Sequence, residues 1–140
     1  MRNFLQAGFL ILMIFTTCGG KKQSVATKVN EPGKPIFIKY CLACHQANGS
    51  GVPGMFPPLI KTNWVENDKT RLIGIILKGQ VGEIEVNGRV YKGAMPSHQY
   101  LNDEQVADVL TYIRSNFGNS ADSVTPLEVS KVRNQLKAKE

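Results

Sequence analysis

The chain has 140 residues, 42% of them hydrophobic and 20% charged, a balance that fits one globular domain with short appendages and excludes a collagen-like or wholly disordered chain. No stretch supplies the ~20 uninterrupted apolar residues of a spanning helix, which excludes a polytopic membrane protein. Three cysteines are too few for a disulfide scaffold, and a net charge of +6 without a long basic run argues against nucleic acid as a partner.

The first residues read as a targeting segment. Arg2 precedes an apolar run from Phe9 to Phe15, the pattern of an export signal. Cys18 closes that run and resembles the cysteine of bacterial lipoprotein signals, where cleavage leaves it as the lipid-carrying N-terminus. The resemblance implies a signal over residues 1–17 and a lipid on Cys18. Phe15 and Thr17 depart from the leucine and the smaller residue usual there, so an ordinary signal peptide or an uncleaved anchor stands as the other reading. Without residues 1–17 the chain keeps 123 residues and a charge of +5, because Arg2 is the one charged residue removed. Residues 18–31, rich in Gly, Lys, Ser and Thr, read as a flexible tether.

Pro35 suits the first position of a helix, and Ile36, Phe37, Tyr40, Cys41 and Cys44 then share a face at helical spacing. Residues 46–64, broken by Gly49, Gly51, Pro53, Gly54, Pro57 and Pro58, read as a long ordered loop. Asp68 caps a helix with Leu72, Ile73, Ile76 and Leu77 on its apolar face, stopped at Gly79. Alternating residues around Asn87-Gly88 predict a hairpin with a two-residue turn, which needs another element to lie on. Asn102 and Gln105 form a capping box for a helix striped by Val106, Val109, Leu110, Ile113 and Phe117 and ended by Gly118. Thr125-Pro126-Leu127-Glu128 caps a last short helix running to about Lys139 within a tail of residues 119–140.

Cys41-Leu42-Ala43-Cys44-His45 has the spacing of a c-type haem attachment site. Cysteines one helical turn apart present both sulfurs to the two vinyl groups of one porphyrin, and the adjacent histidine offers a ring nitrogen to the iron. A thioredoxin-like redox pair would call for a βαβ setting, and a zinc site would call for a second ligand pair beside His45 and His98; the sequence offers neither.

Over residues 32–118 the chain resembles the class I cytochromes c. Gly33-x-x-x-Phe37 is similar to the family's N-terminal helix signature and Val109-x-x-Tyr112 to its C-terminal one. The resemblance implies an all-α fold of about four helices around one covalently held haem, with the first and last core helices crossing and the hairpin as an insertion. Pro57-Pro58-Leu59 is similar to the family's Pro-x-Leu, which implies that the Pro57 carbonyl accepts a hydrogen bond from the haem histidine, Pro58 being the neighbouring register. Met95, between Ala94 and Pro96, stands where the family carries its axial methionine; His98 and Met55 are the other candidates, and an open position is the last. Trp64, the single tryptophan, reads either as a neighbour of the haem propionates or as a core aromatic.

A haem iron held by His45 and Met95 has no free position for a substrate. The expected function is therefore one-electron transfer between redox proteins on the periplasmic side of a bacterial envelope, without a small-molecule substrate. A haem enzyme or gas sensor with an open sixth position is the alternative. Lys21, Lys22, Lys28, Lys34, Lys39, Lys61, Lys78 and Lys92 offer long-range attraction for an acidic partner, or simply a solvated surface.

Overall fold

A computed structural model describes residues 31–139. The export signal, Cys18 and the tether up to residue 30 lie outside the described residues. The elements in chain order are α1 (Gly33–Tyr40), α2 (Leu42–His45), α3 (Asn63–Glu66), α4 (Lys69–Lys78), β1 (Ile84–Val86), β2 (Arg89–Tyr91), α5 (Asp103–Ser115) and α6 (Pro126–Lys137). Among the described residues, four helices of eight or more residues, two single-turn helices and one hairpin give the expected class I cytochrome c fold. None of these helices is long and apolar enough to cross a membrane.

Helix α1 begins two residues before the expected Pro35. Its N-cap, Pro32, makes no side-chain cap bond, and Pro35 still lies in the first turn, where a missing N–H leaves no gap in the helix. The early start brings Gly33 onto α5. A Cβ at Gly33 would fall 2.1 Å from the Asp108 carbonyl oxygen and 2.7 Å from the Tyr112 Cβ, so only glycine permits this crossing. Phe37 then fills the crossing, its ring 5.6 Å from that of Tyr112 and 5.1 Å from that of Phe117.

Asp68 caps α4 by accepting a hydrogen bond from the Arg71 N–H at 3.1 Å, and Leu72, Ile73, Ile76 and Leu77 are buried as the periodicity predicts. The expected loop over residues 46–64 is not irregular to its end: α3 starts at Asn63, because Thr62 caps it through the Val65 N–H at 3.1 Å. The hairpin pairs Ile84 with Tyr91 and Val86 with Arg89. Its turn residues Asn87 and Gly88 have φ of 50° and 73°, both positive as a type I′ turn requires. Val86 and Tyr91 are buried, so the hairpin does lie on the rest of the protein.

The Asn102–Gln105 capping box of α5 is present. The helix ends at Ser115 rather than at Gly118. Ser115 Oγ donates to the Thr111 carbonyl at 2.8 Å and the Asn116 side-chain amide to the Tyr112 carbonyl at 2.9 Å, so side chains cap carbonyls that another turn of helix would have used. Phe117 consequently packs from a left-handed turn, φ 57°, rather than from the helix stripe. Helix α6 has its Thr125–Glu128 capping box and Pro126 at its start, and it ends at Lys137. Val129 and Val132 are buried in the same core as α4 and α5.

Candidate functional site

Residues 41–45 do not continue α1. Cys41, with φ of −114°, separates α1 from the single turn α2, and the His45 N–H returns to the Cys41 carbonyl at 2.9 Å. The kink keeps both cysteines and His45 on the wall of one cavity. Cys41 is buried and Cys44 partly so. Burial, with a smaller contribution from Cys44, pushes the Cys41 thiol up to about 11. A thioredoxin-like pair requires the opposite shift, so the redox-dithiol reading has no support here.

His45 is 9% exposed. Its Nδ1 lies 3.0 Å from the Pro57 carbonyl oxygen. A carbonyl only accepts, so Nδ1 carries the proton and Nε2 keeps its lone pair. Burial holds the imidazole pKa below its usual value, and the Pro57 bond only partly offsets that. The ring is therefore neutral and ready to ligate.

The acceptor is in place because the loop from 49 to 59 closes on itself. The Val52 N–H donates to the Phe56 carbonyl at 2.8 Å and the Leu59 N–H to the Gly49 carbonyl at 2.8 Å. Gly51 is required for that closure: its φ is 66°, and a Cβ there would lie 2.2 Å from the Phe56 carbonyl oxygen.

The cavity is partly open to solvent. Its lining is mainly apolar. Pro57, Leu59 and Trp64 line it, as do Ile84 and Val86 of β1. Met95 is half-buried and reaches the same cavity from the segment between β2 and α5. Its backbone exchanges two hydrogen bonds with Gln80, at 2.9 and 2.8 Å. Met55 is 50% exposed and does not line the cavity.

His98 lies in the same irregular segment as Met95 but not at the surface. It is 7% exposed and lines the cavity. The Ser97 hydroxyl donates to the Leu77 carbonyl at 2.6 Å and the His98 N–H to the Ile76 carbonyl at 2.8 Å, which draws this segment against the end of α4. His98 Nδ1 lies 2.9 Å from the Tyr100 hydroxyl, and burial holds its pKa below the usual value. Among the described residues no three His, Cys, Asp or Glu side chains gather as a metal-holding group.

Trp64 has a structural task in addition to lining the cavity. Its indole N–H donates to the Glu85 carbonyl at 2.9 Å, fastening β1 to α3, and the Arg71 guanidinium stacks 4.4 Å over its ring. Two buried polar residues that no sequence motif marks brace the cavity wall, one at Leu59 and one at Val65. The Asn119 amide donates to the Leu59 carbonyl at 2.9 Å and the Ile113 carbonyl at 2.8 Å, and its oxygen accepts from the Lys61 N–H at 2.7 Å. Arg114, 2% exposed, donates to the carbonyls of Asp122 and Val65. Neither belongs to a local motif; the one available hint is an amide residue directly after Gly118 at a helix end.

A neutral imidazole with a free Nε2, two cysteines one turn apart and a thioether, all on one apolar cavity, fit an iron porphyrin held through its edge. Comparison with known proteins agrees. Residues 30–117 match the family model Cytochrome c. Cytochrome c-552 of Thermus thermophilus is 37% identical over 131 residues, covering 87% of this chain and 84% of that one. The cytochrome c subunit of a quinone alcohol dehydrogenase from Gluconacetobacter polyoxogenes is 37% identical over 105 residues, 73% of this chain but 22% of the subunit. The cytochrome c subunit of gluconate 2-dehydrogenase from Pantoea cypripedii is 35% identical over 112 residues, 74% of this chain and 24% of the subunit. The chain belongs to the cytochrome c family: it carries covalently bound haem c and functions in electron transfer rather than as an enzyme in its own right.

Proposed function

We propose that Cys41 and Cys44 form the two thioether links to the haem, that His45 Nε2 ligates the iron on one side and the Met95 sulfur on the other, and that the protein relays single electrons between two redox proteins. When bound, haem c supplies a one-electron iron couple. The chain's own residues do the rest. The Pro57 carbonyl fixes the His45 tautomer and makes Nε2 a stronger donor. Leu59 and Trp64 line the cavity and keep water from it, and the Met95 thioether favours the ferrous state and so raises the potential. The observation that carries this reading is the His45–Pro57 bond on the same cavity as Met95.

Residues 32–118 form the electron-transfer domain in this reading, residues 119–140 a helical tail folded onto it, residues 1–17 a lipoprotein-type signal and residues 18–31 a tether. A lipid on Cys18 holds the protein to a membrane on the periplasmic side of a bacterial envelope. Bacterial c-type cytochromes are typically exported, which supports that address. The dehydrogenase cytochrome subunits among the relatives support a redox protein as donor or acceptor. Exposed Lys34, Lys39, Lys61 and Lys78 suit an acidic partner; Lys92 suits it less, being paired with Glu83 at 2.8 Å.

The test is a set of visible spectra of the mature protein, oxidised, reduced, and reduced under carbon monoxide. A low-spin reduced spectrum, a weak far-red sulfur-to-iron band in the oxidised state and no response to carbon monoxide are expected. A high-spin spectrum that moves with carbon monoxide would replace this reading with an open-site haem enzyme or gas sensor. Release of the mature protein from membranes by a Cys18→Ser change tests the lipid.

A further inference from the structure

Helix α6 lies beyond residue 117, where the family match ends. One of its side chains reaches back to the Met95 side of the cavity. The Arg133 guanidinium donates from Nε to Asp103 Oδ1 at 2.8 Å, from Nη1 to the Gln99 carbonyl at 2.9 Å and from Nη2 to the Leu101 carbonyl at 2.7 Å. All three acceptors belong to one stretch, 99–103, which leads from Met95 into α5. The other end of that segment is fastened to α4 by Ser97 and the His98 N–H. The Arg133 side chain is only 20% exposed, so solvent competes weakly for these bonds. A planar fork with fixed donors loses little freedom in satisfying three acceptors, and charge-assisted bonds are the stronger kind.

Helix α6 does not depend on Arg133 for its own seat. Val129 and Val132 are buried in the core, and Lys69 pairs with Glu128 at 3.2 Å. The arginine is thus free to act on the segment it grips.

We propose that α6 braces the Met95 side of the haem site and that Arg133 is its positioning residue: three bonds keep residues 99–103 closed and thereby hold the Met95 sulfur on the iron. This rests on Met95 being the axial ligand. For that sulfur to leave, the segment must open locally, and the Arg133 bonds set how often it does. A sequence that stopped after α5 would lack this restraint.

The experiment uses the haem-loaded full chain and compares Arg133→Ala, Arg133→Gln and Arg133→Lys with Lys69→Ala, which loosens α6 without touching the segment. One readout is the rate at which the ferric protein captures added cyanide, which requires the sulfur to leave. The other, independent of the haem, is hydrogen exchange at the His98 and Leu101 amides. Arg133→Ala and Arg133→Gln are expected to speed cyanide capture on the order of tenfold, the effect of losing about one net charge-assisted bond, and to deprotect both amides. Arg133→Lys recovers little, because an ammonium group cannot span three acceptors. Lys69→Ala lowers the melting temperature and leaves cyanide capture as in the wild type. Equal cyanide capture in the wild type and the Arg133 variants overturns the brace, as does an equal acceleration by Lys69→Ala. If the ferric wild type lacks the far-red sulfur band, the Met95 assignment falls first and the brace with it; if the band is present and the variants behave as wild type, only the brace falls.

Discussion

The two sides of the haem cavity are built by different means. The His45 side is one contiguous stretch, 41–59, whose closure around His45 is made by bonds within that stretch, with Gly51 letting the backbone meet itself and Asn119 adding a remote tie at Leu59. The Met95 side is assembled from distant parts. Gln80 pins the Met95 backbone, Glu85 hangs from Trp64, Lys92 and Gly93 donate to the Gly54 and Met55 carbonyls, and Arg133 closes residues 99–103. A locally closed loop stays formed while its neighbours breathe. A segment held by remote ties opens as any one tie is lost. The first geometry suits a permanent hold, and the second an adjustable one.

The comparison breaks entirely if the haem is withheld, because both sides then lose the surface they close upon. Changing Cys41 and Cys44 together to alanine is expected to leave an unfolded or molten chain, since a domain of this size is marginal without the apolar contacts of the porphyrin. Calorimetry checks it, and a cooperative transition in that variant would refute the claim. Next in size is Gly51→Ala, which strains the His45 side through both φ and the contact with the Phe56 carbonyl. A loss of about 2–3 kcal/mol of unfolding free energy, read from denaturant titration, is expected, with the sulfur-to-iron band intact.

Trp64→Phe probes the other side. It removes the bond to Glu85 and costs about 1 kcal/mol, but it is expected to weaken the far-red band at denaturant concentrations where the fold remains whole by circular dichroism. The same order of band loss in Gly51→Ala would erase the distinction between the two sides.

The smallest effect is acid-linked. Burial lowers the His98 pKa from 6.5, so the unfolded chain takes up its proton first. The stability that the neutral ring contributes is complete above about 6.5 and drains away as pH falls through the lower folded value. Melting temperature measured from pH 7.5 to 5 is expected to fall more steeply in the wild type than in His98→Gln.

Legibility followed the same division. Capping residues, glycine stops, the Asn87-Gly88 turn and the 41–45 motif are local signals, and each reports a local hydrogen bond or backbone angle. The Pro57 acceptor was legible through family resemblance, since it lies 12 residues from His45 with no periodic pattern between them. The burial of His98, the hold of Asn119 on Leu59 and the grip of Arg133 all depend on which carbonyls a folded neighbour leaves free, and no spacing in the chain encodes that. The end of α5 was misjudged for a related reason. Phe117 has the right spacing for the stripe, and its ring does join the Phe37–Tyr112 cluster, but it does so after Ser115 and Asn116 have capped the helix.

The paired bonds between Gln80 and Met95 have a wider consequence for how such a protein can diversify. Because the chain leaves and returns at the same point, the tip of the hairpin, beyond its ties to Trp64 and to the Gly54 and Met55 carbonyls, is a detour whose length does not set where Met95 sits. Lengthening, shortening or replacing the Asn87-Gly88 tip would alter the exposed surface there while leaving those ties and the Gln80–Met95 neck in place. The fold thus separates two traits that selection often has to trade against each other: a stapled neck keeps the Met95 segment in place, and a tip beyond it presents a surface free to vary.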